Sequence, residues 1–125
     1  MSYDIRLGVK VEGGNDLFVE IDRPEYDSPT YNIGTMFRAC MDWDFEQGKW
    51  YNVQEVLPKI QHGLTELMIH EGKYKQYNAP NGWWTTASAK RTLESVMECI
   101  SRNIPEGNSL WSINEIPIEL LYIKW

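Results

Sequence analysis

Apolar and polar residues alternate over residues 3–11. Tyr3, Ile5, Leu7, Val9 and Val11 share one parity, and Asp4, Arg6 and Lys10 lie on the other. A period of two predicts a half-buried strand. The polar run 12–16 reads as a turn, and Leu-Phe-Val-Glu-Ile at 17–21 as a second strand, so the chain opens as a β-hairpin. Residues 22–29, rich in proline and acid, read as a loop.

Residues 30–45 support two periods. Met36, Phe37, Cys40 and Met41 suit a short helix. Met41, Trp43 and Phe45 alternate with Asp42, Asp44 and Glu46, as in a strand. The reading adopted is a short helix or turn passing into a strand, followed by a turn at 46–49.

The period changes to 3.6 at 53–68, where Val53, Val56, Leu57, Ile60, Leu64, Leu67 and Met68 form one helical stripe. Asn52 and Glu55 have capping-box spacing, with Asn in place of Ser or Thr. Pro58 lacks an N–H and crowds the carbonyl of Gln54, so the helix either kinks there or starts there. Gly72 is its expected end, and 73–82 a loop. A second helix is predicted over 86–102, with Ala89, Leu93, Val96, Met97 and Ile100 buried. Residues 103–109 read as a loop and 116–125 as a closing strand. Pro117 places that strand at or near a sheet edge. The order predicts a single α+β domain over 1–125: a small antiparallel β-sheet with two main helices packed on one face.

Composition narrows the function. The 125 residues are 42% hydrophobic and include 6 Trp, 7 Tyr and 3 Phe. That is enough to bury a core, with aromatic rings to spare for an interface. The net charge of −6 disfavours direct nucleic-acid binding, which depends on neutralising phosphates, and favours basic partners. Cys40 and Cys99 are far apart and sit among apolar residues, as buried thiols of a reducing compartment do. The chain opens without a basic-then-apolar leader, and no apolar run approaches the ~18 residues a span needs. A cytoplasmic protein with no membrane partner is expected.

Three constellations are candidates for chemistry. Around the second helix start, Trp83 and Trp84 supply stacking faces, Thr85 and Thr86 hydroxyls, and Lys90 and Arg91 charge, as a nucleotide or phosphate site would need. The competing reading is a core anchor and an ordinary Thr cap. His62, Glu66 and His70 recur every four residues on one helix face, which admits acid–base or metal work, but the spacing is not His-Glu-x-x-His. An exposed polar face explains them as well. Asp42, Asp44 and Glu46 would line one strand face, with Asp22, Glu25 and Asp27 adding to the acidic surface. Such a row suits a divalent cation, a basic partner, or a solvated edge that blocks aggregation. No nucleophile motif stands out. No cofactor, no metal and no enzymatic activity are expected.

Met-Ser-Tyr-Asp-Ile at 1–5, Thr-Tyr-Asn-Ile-Gly at 30–34 and Thr-Thr-Ala-Ser-Ala-Lys-Arg-Thr-Leu-Glu-Ser-Val at 85–96 resemble an uncharacterised family of small phage, prophage and mobile-element proteins. The resemblance covers roughly residues 1–100 through short motifs. Ser88 and Thr92 stand where that family's helix has Asn and Ala, and Asp42-Trp43-Asp44-Phe45 replaces its Asn-rich stretch. The resemblance implies a context, the bacterial host cytoplasm, and a role: a stoichiometric anti-defence protein, similar to anti-CRISPR proteins, that binds a host defence protein such as a CRISPR nuclease. A homodimer through the C-terminal strand, closed by Trp125, is a further expectation.

Overall fold

The computed structural model describes residues 5–11, 17–25, 33–82, 84–104 and 118–125. The expected turn at 12–16, Asp27, Trp83, Pro117 and most of the loop at 103–109 lie outside the described residues. Strands β1 (Arg6–Val11) and β2 (Leu17–Asp22) pair antiparallel, as the alternation predicts. They are followed by α1 (Gly34–Met41), β3 (Trp50–Asn52), α2 (Val53–Ile69), the short α3 (Glu71–Tyr74), α4 (Thr86–Ser101) and β4 (Leu121–Lys124). The four strands form one antiparallel sheet in the order β2-β1-β4-β3. The fold is α+β.

One core joins the sheet to the helices. Ile5 and Leu7 of the first strand segment and Leu121 and Ile123 of β4 meet Met36, Phe37, Val56, Ile60, Leu93 and Val96 from the helices. α2 packs against both α1 and α4. Gly63 marks where the three helices converge. A Cβ there would stand 2.7 Å from Met41 Cγ, 3.1 Å from Leu93 Cδ1 and 3.3 Å from Cys40 Sγ.

Four expectations need correction. Residues 42–46 do not form a strand; the strand after α1 is Trp50–Asn52. α2 does not start at Pro58. It runs from Val53 through an exposed proline, giving up one backbone bond early in the helix. Its cap is Asn52, whose Oδ1 accepts from Gln54 N–H at 3.0 Å while its Nδ2 donates to the Glu119 and Leu121 carbonyls at 3.1 and 3.3 Å. Gly72 does not end α2; Ile69 does, and Gly72 lies within α3. Finally, the closing strand lies in the sheet interior, between β1 and β3. Both its edges are hydrogen-bonded, so it has none to offer a second copy, and Trp125 is 1% exposed. The structure therefore gives no support to the expected dimer contact through this strand. Among the described residues, no helix is long and apolar enough to cross a membrane.

Candidate partner-binding surface

The end of α1 builds the acidic loop. Trp43 N–H donates to the Arg38 carbonyl at 3.1 Å and Asp42 N–H to the Ala39 carbonyl at 3.3 Å. This is the bond pattern of a Schellman helix end, whose pivot residue is left-handed and usually glycine. Here Asp42 takes that conformation, with φ of 49° and ψ of 50°. Asp is among the few residues that tolerate it.

Beyond the pivot, successive side chains point to opposite sides. Phe45 is 2% exposed, and Trp43 is half-buried against the core. Phe45 lies 5.2 Å from the Trp125 ring, and Trp43 lies 4.8 Å from Tyr51 and 5.3 Å from Phe45. Phe37 of α1 completes the cluster, 5.8 Å from Trp125. Asp42, Asp44 and Glu46 are turned outward and exposed. The predicted sidedness is present without a strand to produce it.

Polar bonds fix the same loop. Arg38 Nε donates to the Phe45 carbonyl at 3.1 Å, and its guanidinium lies 4.6 Å from the Phe45 ring centre. The Arg38 Nε–Asp44 Oδ1 separation is 3.7 Å, a loose contact to a carboxylate in full contact with solvent. Glu46 N–H donates to Tyr51 Oη at 2.8 Å, and Gly48 N–H to the Trp125 carbonyl at 2.9 Å. Arg38, Tyr51 and Trp125 thus hold the acids in place. Sequence spacing gave no sign of Arg38, because it reaches Phe45 across a helix end. Trp125 Nε1 is buried and has no hydrogen-bond partner among the described residues.

The other acids serve elsewhere. A bulge in β2, where Leu7 pairs with Asp22 and Gly8 with Glu20, turns Asp22 toward the helices. There it accepts from Arg102 Nε and Nη2 at 2.7 and 2.9 Å and from Asn103 Nδ2 at 2.8 Å. The Arg102 hydrogen bonds hold its pKa down at about 2. Asp22 is a structural tie between β2 and the end of α4. It also lies on the outer strand β2, three strand spacings (~14 Å) from β3, the strand that follows the 42–46 loop. Glu25 lines a shallow groove along α4 with Lys90, Arg91, Glu94, Ser95 and Glu98.

The residues proposed for a nucleotide are largely engaged within the fold. Trp84 packs on the core, and its Nε1 donates to the Tyr77 carbonyl at 2.8 Å. Thr85 is the N-cap of α4, its Oγ1 accepting from Ser88 N–H at 3.3 Å. Thr86 N–H is taken by Asn78 Oδ1 at 2.9 Å. Lys90 and Arg91 share their groove with three carboxylates, which offset their attraction for an anion. The geometry is that of an anchor and a capped helix.

On α2, Glu66 accepts from Tyr74 Oη at 2.6 Å, and its other oxygen lies 3.8 Å from His70 Nε2. The Tyr74 bond lowers the Glu66 pKa, while burial and the same carboxylate raise that of Tyr74. The contact ties α3 to α2. His62 is exposed on the same helix. Burial raises the pKa of both Cys40 and Cys99 to about 12, so neither thiol ionises near neutrality.

The chain matches no protein-family model, no curated protein and no solved structure. The mobile-element resemblance therefore stands on its short motifs alone.

Proposed function

We propose that this protein is a phage or mobile-element accessory protein that inhibits a host defence nuclease stoichiometrically, without catalysis, by docking the Asp42–Glu46 loop on a basic nucleic-acid groove. The observation that carries this reading is the loop itself. Asp42, Asp44 and Glu46 are exposed in a row, on a backbone held by buried aromatics and the Arg38 and Tyr51 bonds. A fixed loop avoids much of the ordering cost that weakens flexible binders. Its acids face where phosphates would lie in such a groove, and a net charge of −6 steers the approach. The short-motif resemblance supplies the biological context.

The test is defence relief in bacteria carrying an active nuclease-based system. Expression of the wild-type chain restores uptake of a targeted plasmid. The triple variant Asp42→Lys, Asp44→Lys, Glu46→Lys does not, although circular dichroism shows it folded. Full relief by the folded triple variant would overturn the assignment.

A further inference from the structure

The sheet has a second face that the helix core does not use. Strand alternation sets Leu7, Leu121 and Ile123 toward the helices, and Gly8, Phe18, Trp50 and Tyr122 the other way. The outer side of an antiparallel sheet is ordinarily polar. Here aromatic rings from three strands meet across it. Phe18 of β2 stacks on Trp50 of β3, with ring centres 5.1 Å apart and planes inclined by 14°. Phe18 also meets Tyr122 of β4 edge to face at 5.0 Å. Since β2 and β3 are the outer strands of the described sheet, the rings bridge its full width. Gly8 makes the bridge possible. A Cβ there would stand 2.7 Å from Trp50 Cη2, so a glycine in mid-strand lets the indole lie close to the backbone. All three rings are half-buried, and part of each meets solvent.

Cations gather around these rings. Lys124 Nζ lies 5.2 Å from the Trp50 ring centre, and Lys10 Nζ 5.9 Å from that of Tyr122. Arg6 stands directly opposite Lys124 in the β1–β4 ladder, where like charges repel. Glu20 is on the same side and offsets one of these charges, pairing with Arg6 Nε at 3.1 Å. Among the described residues this face therefore holds three cations to one carboxylate, in a chain of net charge −6. The charge that speaks against nucleic acid in the sequence is unevenly spread.

We infer that this face is a platform for short single-stranded nucleic acid, with bases stacked on the Phe18, Trp50 and Tyr122 cluster and phosphates beside Lys124, Lys10 and Arg6. Aromatic rings next to a basic track hold single strands without reading sequence. A neutral sugar or an apolar peptide would use the rings and leave the cations unmatched. A duplex keeps its base faces stacked away from such a platform. Contact between a phosphate and Lys124 is governed by charges within a Debye length, about 10 Å, so the distant acids weaken binding without abolishing it.

Fluorescence anisotropy tests this, with a labelled oligodeoxythymidine of about twelve residues titrated with the full chain at low salt. The expected Kd is on the order of 10 μM, and binding weakens as salt rises. Lys124→Glu and Trp50→Leu each weaken it about tenfold, with circular dichroism checking the fold. Lys90→Glu, in the groove along α4, leaves it unchanged, and a duplex of the same length competes poorly. No binding overturns the inference. So does undiminished binding by either folded platform variant, loss of binding in Lys90→Glu, or equal competition by the duplex. These results are independent of the Asp42–Glu46 loop, which none of the variants touches.

Discussion

Asp42 and Asp22 show how differently two acids in one chain are used. Asp42 occupies a left-handed position that glycine would fill with less strain. Asp42→Gly therefore raises the unfolding free energy by about 0.5–1 kcal/mol, measured by urea denaturation; a loss of stability would contradict the strain. Asp22 is the opposite case. Its folded pKa of about 2 lies below the ordinary value near 3.8. The tie to Arg102 thus contributes fully above roughly pH 4 and is lost as pH falls through about 2. Asp22→Asn costs about 1 kcal/mol at pH 7, since the pair is partly exposed, and the difference from wild type shrinks between pH 4 and 2. A difference independent of pH in urea titrations would argue against the ion pair. The composition at 22–27 shows the acids, but only the bulge in β2 shows that Asp22 turns inward.

Among the elements, α2 and α4 were legible because a 3.6-residue stripe survives in any helix that covers a core. Asn52 was legible as a cap, though its second task, holding the start of β4, joins residues 66 to 69 positions apart. The 42–46 segment was legible in which side chains go in and out, and misleading as to element. A Schellman turn followed by two inward aromatics produces the same alternation as a strand. Gly63 gave no useful signal, because its role depends on Met41 and Leu93 from two other helices. Gly63→Leu forces α1 and α4 apart and lowers stability by about 3 kcal/mol, measured by thermal and urea unfolding; a variant as stable as wild type would show that the three helices do not meet there.

For the whole molecule, alternation marked the closing strand but not its neighbours. Which strands pair is set by how the chain crosses the helix layer. Here the crossover carries the last strand into the sheet centre. That placement buries Trp125 under the acidic loop and leaves β2 and β3 as the two outer strands of the described sheet. It also divides the acids read together in the sequence: Asp22 is tied to Arg102, while Asp42, Asp44 and Glu46 are exposed beside β3.

In the proposed mode of action this row occupies a groove made for nucleic acid. Its most direct measurement is competition on the purified target nuclease, with labelled guide or target nucleic acid displaced by rising concentrations of this protein. The expected result is mutually exclusive binding that weakens with salt and disappears in the Asp42, Asp44, Glu46 charge-reversal variant. Simultaneous binding of protein and nucleic acid, or undiminished competition by that variant, would contradict it.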